Sequence, residues 1–242
     1  QQAAGLSVEL LPIKEARESE PLLADDLWGA AYCKDDAQVN PIRVAQGFAQ
    51  AARRLGAKIQ SGVDVKGLVV ENGRVCGVQT NEGELKAEQV VNAAGVWAPE
   101  LVAPYGLELP IKPRRGQILV TEPLPTMLRH VLLCACYLIA KYHPEELDLT
   151  DRQHRLGVGL AVEQTAHGGL LIGSTREFVG FDRRTTLAGI EAVARHAKRI
   201  LPGLPILGPV DELPGLIMAA GHEGDGIALA PVTGKKIAEY LV

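Results

Sequence analysis

The stretch Leu216-Ile-Met-Ala-Ala-Gly-His-Glu-Gly-Asp-Gly-Ile227 decides the fold. Its first five residues make a continuous apolar run, as a buried strand does. Gly221, Gly224 and Gly226 then put three glycines into six residues, and the apolar residues from Ile227 onward read as a helix with Pro231 near its first turn. Strand, glycine loop and helix in this order leave a helix N-terminus whose first N–H groups have no internal partners. About half a positive charge gathers at such an end, and glycines let a ligand approach the backbone without Cβ interference. Two readings of the loop stand side by side: glycines that only turn the chain, and glycines that admit an anionic group.

Working outward, Asn40-Pro41 starts a helix over 41–55, because Asn caps well and Pro costs nothing at the first helical position. Val44, Phe48, Ala51, Ala52 and Leu55 form one apolar stripe along it, and Gly56 suits a left-handed C-cap. A β-meander follows, with runs at 58–59, 63–70, 74–80 and 84–92. Asn72-Gly73 is its tight hairpin corner and Asn81-Glu82-Gly83 its second turn. The run Gln89-Val-Val-Asn-Ala-Ala-Gly95 is apolar on both faces, which predicts a buried parallel strand ending in small residues.

Residues 28–32 read as a strand entering a turn at Lys34-Asp35-Asp36. Further strands are expected at 117–121, 137–141, 156–163 and 170–174. Thr186 then caps a helix whose Leu187, Ile190, Val193, Ala194, Ala197, Ile200 and Leu201 share one face until Pro202-Gly203 stops it.

Several chemistries are excluded. Twenty-five basic against 29 acidic residues give a net charge of −4 with no basic block, which argues against a nucleic-acid partner. No apolar run approaches the roughly 20 residues of a transmembrane helix. Hydrophobic residues at 47% and charged ones at 22% describe a folding chain, and four cysteines point to a reducing, cytoplasmic compartment rather than a disulfide scaffold. Gly221 to Gly226 spells GxxGxG, neither GxxxxGK[ST] nor GxGxxG, and Gly157-Val-Gly159 fails because Val162 takes the third position. No metal site is expected: His222-Glu223 lacks the second His of HExxH, and Cys134-Ala-Cys136, read as part of a strand, has no companion pair. Of the six histidines only His222 stands out.

Pro214-Gly-Leu-Ile-Met-Ala-Ala-Gly-His-Glu-Gly-Asp-Gly-Ile-Ala-Leu-Ala-Pro-Val-Thr-Gly234 resembles the C-terminal signature of the D-amino-acid-oxidase-like FAD-dependent oxidoreductases. That family includes glycine and sarcosine oxidases. Asp36-Ala-Gln-Val-Asn-Pro41, Val90-Val-Asn-Ala-Ala-Gly-Val-Trp-Ala98 and Pro113-Arg-Arg-Gly-Gln117 agree in order and spacing. Leu171-Ile-Gly-Ser-Thr-Arg-Glu-Phe-Val-Gly-Phe-Asp182 is similar to the catalytic subunits of opine oxidases, proline dehydrogenases and hydrogen cyanide synthase.

The resemblance implies a mixed α/β fold in which an incomplete, Rossmann-like FAD-binding domain is interleaved with a substrate domain on an antiparallel sheet. The FAD parts would be 37–103 and 214–242, and the substrate domain 104–213 with 1–36. It implies that Val65 meets the adenine through its backbone, that Ala93, Ala94 and Gly95 pass beneath the cofactor, and that Gly221, His222, Gly224, Gly226 and Ile227 lie beside the isoalloxazine ring. There the helix N-terminus would stabilise the negative charge that hydride brings to the flavin. Tyr137 would face the substrate; a half-buried strand tyrosine is the plainer alternative.

Two departures from the family pattern stand out. No GxGxxG βαβ unit is present, and at Leu201-Pro-Gly-Leu-Pro-Ile-Leu-Gly208 the relatives' inserted Gly-x-Arg-Pro segment, whose Arg pairs with the substrate carboxylate, is missing. The expectation is a longer chain carrying both. The implied reaction is oxidation of a CH–NH bond of an amino acid or secondary amine by hydride transfer to flavin, with no dedicated acid–base residue because a neutral, aligned amine suffices. The chain could be one subunit of a dehydrogenase complex, passing electrons to a partner subunit or a quinone. Two alternatives remain: a non-catalytic structural subunit of a heteromeric dehydrogenase, and an FAD-fold dehydrogenase acting on CH–OH donors.

Overall fold

The computed structural model describes residues 2–146, 148, 150, 152–204, 206–209 and 217–220. The chain divides into two compact units. One comprises Gln38–Arg114 with Phe178–Phe181, and the other Gln1–Ala37, Arg115–Glu177 and the residues from Asp182 onward.

The larger unit opens with strand β1 (Val8–Pro12), helix α1 (Ile13–Ser19) and strand β2 (Gly29–Cys33), the two strands pairing antiparallel. In the smaller unit, α2 (Pro41–Arg54) starts as Asn40 predicts: its side chain accepts a hydrogen bond from the Arg43 N–H at 3.0 Å. Its apolar stripe faces outward, with Phe48 74% exposed and Leu55 89%. Strands β3 (Val65–Glu71), β4 (Arg74–Thr80) and β5 (Gly83–Lys86) form the antiparallel meander. Asn72 at φ 51° and Gly73 at φ 75° make the β3–β4 corner, both positive as a two-residue I′ turn demands. Residues 58–59 are not a strand.

The expected parallel strand at 89–95 does not form. Residues 89–94 are irregular, Val91 is 89% exposed, and a short 3-10 turn (Gly95–Trp97) leads into α3 (Ala98–Val102). An apolar run becomes a parallel strand only when neighbouring strands take up its N–H and C=O groups, and among the described residues none lies beside it. Asn92 instead closes a local loop, its side chain donating to the Ala98 carbonyl at 3.0 Å and accepting from the Ala94 N–H at 3.2 Å.

In the larger unit, β6 (Ile118–Val120), β7 (Leu132–Leu133), α4 (Ala135–Tyr142), α5 (Arg152–Arg155), β8 (Ala161–Gln164) and β9 (Leu170–Gly173) precede α6 (Leu187–Ile200). The sheet order is β6-β9-β8-β7, antiparallel throughout, with Leu119 opposite Ile172 and Ile172 opposite Val162. α6 packs on this sheet. Val193, Ala197 and Leu201 join Leu160, Val162, Leu170 and Ile172 in the core, which Ala16 and Leu23 also enter. Burying each leucine contributes about 2 kcal/mol. Thr186 caps α6 by accepting from the Gly189 N–H at 3.1 Å. β10 (Ile206–Pro209) and β11 (Ile217–Ala220) pair antiparallel.

Two strand expectations are corrected here. Residues 137–141 belong to helix α4, with Cys134 at its N-cap and Cys136 inside it, so neither cysteine is a strand residue. Short runs that are apolar all round carry no period to separate helix from strand. Of 156–163 only the end from Ala161 is strand, because Gly157 turns to φ 59°.

Candidate functional site

In the smaller unit, Asp64, Val65, Lys66, Ala93, Ala94, Gly95, Trp97, Glu100 and Leu101 line a cleft of about 800 Å³. Asp64 precedes β3 and Val65 and Lys66 open it, Ala93 to Trp97 come from the loop and 3-10 turn, and Glu100 and Leu101 from α3. Asn81 fixes the β3 side: its side chain accepts from the Asp64 N–H at 2.8 Å while its own N–H donates to the Asp64 carbonyl at 3.0 Å. On the other side Gly95 takes φ 56°, and a Cβ there would meet nothing within 4 Å, so backbone is bared to the cleft. The Trp97 ring stacks on Phe181, with centroids 5.9 Å apart and planes 16° from parallel. Lys66 pairs with Asp64 at the exposed rim.

Val65, Ala93, Ala94 and Gly95 are thus brought together. Gly221, His222, Gly224, Gly226 and Ile227 lie outside the described residues, as does the helix expected from Ile227. Trp97 and Leu101 also face the cleft. Trp97 stands in the motif at 90–98, but nothing in the spacing assigns it a wall.

Tyr137 lies in the larger unit, half-buried on α4. The guanidinium carbon of Arg176 sits 4.0 Å from its ring centroid, and Arg176 Nη1 donates to the Gly157 carbonyl at 3.2 Å. Gly159 permits this arrangement, since a Cβ there would lie 2.8 Å from the Tyr137 Cα and collide with Arg176. Sequence reasoning missed Arg176, although it stands in the motif at 171–182.

The profile of the family described as "FAD dependent oxidoreductase" (DAO) matches residues 1–240. The hydrogen cyanide synthase subunit HcnC of Pseudomonas protegens is 33% identical over 241 residues, covering 90% of this chain and 52% of that protein. The crystal structure of glycine oxidase from Geobacillus kaustophilus superposes with a TM-score of 0.67 at 28% identity, covering 99% of this chain and 64% of that one. That of L-proline dehydrogenase from P. horikoshii gives 0.70 at 26%, covering 100% and 66%. The chain spans about half the length of the hydrogen cyanide synthase subunits it matches. Among the described residues no helix is long and apolar enough to cross a membrane. With its mixed α/β elements, antiparallel sheets and near-complete match, the chain belongs to the DAO family of FAD-dependent oxidoreductases.

Proposed function

We propose that this protein oxidises the CH–NH bond of an amino acid or secondary amine, with FAD as electron acceptor and an imine, hydrolysed by water, as product. When bound, FAD supplies a two-electron acceptor, which no protein side chain offers. The cleft at Val65 and Ala93–Gly95 carries this reading. Its volume of about 800 Å³ falls in the range of small-molecule sites, and the small side chains of Ala93 and Ala94 with the open face of Gly95 leave room for a flat heterocycle. The residues present therefore fit the cofactor. Val65, Ala93, Ala94 and Gly95 would hold it from the smaller unit.

Residues 104–213 with 1–36, most of them in the larger unit, would be the substrate domain. Arg176, held over the Tyr137 ring, has N–H groups besides the one given to Gly157 and would use them to orient a substrate carboxylate. This task matters because aligning a neutral amine is most of what the chain must do. The names of the relatives support the class: glycine oxidase and L-proline dehydrogenase both act on amino acids. HcnC is named a subunit, which supports a partner subunit here as well. Cys33, Cys76, Cys134 and Cys136 are all free thiols, which suits a cytoplasmic, reducing compartment.

The test is anaerobic bleaching of the flavin band of the FAD-loaded protein by a panel of D-amino acids, sarcosine, proline, hydroxyproline and glycerol 3-phosphate. Bleaching by an amine or amino acid is the expected result. Bleaching by glycerol 3-phosphate alone would replace it with CH–OH chemistry, and a protein that takes up no FAD would be a structural subunit.

A further inference from the structure

The Cys134-Ala-Cys136 pair has no second pair in the sequence, but the fold brings it a third ligand. His196, on α6, places Nε2 3.1 Å from Cys136 Sγ and 3.6 Å from Cys134 Sγ. One ligand atom from each of the three residues lies within 4.8 Å of the others, and all three side chains are half-buried. The backbone under the pair is fixed on both sides. The Cys134 N–H donates to the Leu160 carbonyl at 2.9 Å, and its own carbonyl accepts from the Tyr137 N–H at 2.8 Å as α4 begins.

These separations also suit a shared cation. Zinc binds thiolate sulfur at about 2.3 Å and imidazole nitrogen at about 2.0–2.1 Å, so tetrahedral geometry sets sulfur and nitrogen about 3.5 Å apart. The two observed sulfur–nitrogen distances, 3.1 and 3.6 Å, fall on either side of that value. Two thiolates and an imidazole are soft to borderline donors, a set that selects zinc over magnesium or calcium. A dithiol switch would need only the two sulfurs, whereas a ring nitrogen in reach of both is what a common ligand explains.

We propose that Cys134, Cys136 and His196 form a zinc site with water in the fourth position, tying α4 and the tyrosine it carries to α6. The hydrogen bond from the Cys136 thiol, with His196 adding to it against the opposing effect of burial, brings the Cys134 thiol down to about 4. Cys136, which donates that bond to the thiolate, is pushed up. Thiols ligate as thiolates, so metal binding at this pair releases protons.

The experiment is metal analysis of the intact, reduced protein after loading with zinc and dialysis, together with X-ray absorption at the zinc edge. About one zinc per chain is expected, with two sulfurs at about 2.3 Å and lighter ligands at about 2.0–2.1 Å. Cys136→Ser and His196→Asn should fall to roughly a tenth of that content while keeping the far-ultraviolet circular dichroism of the parent, and Cys76→Ser, altered in the other unit, should retain it. Three results would overturn the site: a zinc shell without sulfur, no zinc held by the reduced protein, or a Cys134–Cys136 disulfide in freshly isolated material. The absorption spectrum of the parent decides the matter even if a variant misfolds.

Discussion

Arg115 and Glu177 grip each other through both backbone and side chain. Their N–H groups each donate to the other's carbonyl at 2.9 Å, while Arg115 Nη2 donates to Glu177 Oε1 at 2.7 Å and Arg115 Nε to Oε2 at 3.2 Å. The forked pair is nearly sealed, with side-chain exposures of 11% and 9%. Around it Gln117 Nε2 donates to Glu177 Oε2 at 2.7 Å, the Thr175 hydroxyl donates to the same oxygen at 2.9 Å, and Gln117 Oε1 accepts from the Thr186 N–H at 2.7 Å. Two stretches that resemble family motifs, 113–117 and 171–182, are therefore two halves of one buried network. It also reaches the cap of α6.

Breaking that network should cost stability in a pH-dependent way. Burial opposes ionisation of Glu177, yet hydrogen bonds from Arg115, Gln117 and Thr175 outweigh it and hold the carboxyl below its ordinary range. Asp182, hydrogen-bonded by the Arg184 side chain and backbone N–H and attracted by Arg115, is held lower still. A depressed carboxylate contributes fully above its unfolded value of about 4.3 and loses that contribution as pH falls through its folded value. Glu177→Gln should therefore lose roughly 3 kcal/mol at neutral pH, because Arg115 keeps its burial without its fork, and less near pH 3. Urea unfolding at the two pH values checks this. Equal losses at both would show that the charge is not what the pair contributes.

Arg176→Ala should raise KM for amino-acid substrates about tenfold or more while leaving kcat within a few-fold, since a lost ground-state and transition-state contact weakens binding uniformly. An amine without a carboxylate should be unaffected. Arg176→Lys should rescue little, because an ammonium cannot lie flat on Tyr137 and offer a fork. Steady-state kinetics on paired substrates measures the difference, and equal effects on both would remove Arg176 from carboxylate recognition.

Gly159→Ala should destabilise the protein by about 1–3 kcal/mol, as added volume does in tight sites. Its Cβ would sit 2.8 Å from the Tyr137 Cα and against the Arg176 guanidinium, so one must move. Gly67→Ala, where the backbone is likewise outside the positive-φ region and a Cβ meets nothing within 4 Å, controls for the generic effect of an added methyl. Thermal melts of the two variants separate the contact from the generic effect of a methyl; equal shifts would mean that Gly159 is not constrained by Tyr137.

What was legible in the sequence was local. Asn40-Pro41 states the start of α2, Asn72-Gly73 the hairpin, and Thr186 the cap of α6, because each acts through atoms within a few residues. The periodic face of α6 was legible as well, since the sheet that covers it lies in the same unit. The stripe of α2 was read as a stripe, but nothing in a period says what covers it. Residues 89–95 show the same limit: apolar on both faces, they become a strand only beside others. α4 escaped because a short run around Tyr137 carries no period, and with it went the partnership of the two cysteines with His196, which lies 60 residues from Cys136. Arg115 and Glu177, separated by 62 residues, were each visible in a motif and invisible as a pair.

The cleft beneath Ala93 gives the most direct measurement. Thermal unfolding of the protein with increasing FAD, read together with the flavin absorbance that stays with the protein after gel filtration, should show a rising midpoint, as a ligand bound only to the folded state requires. Ala93→Leu, which puts a branched side chain into that space, should weaken FAD binding at least tenfold and leave the midpoint without FAD within about 2 °C of the parent, as expected for a substitution at an exposed site. A parent midpoint that FAD does not move, with no flavin retained, would contradict the account.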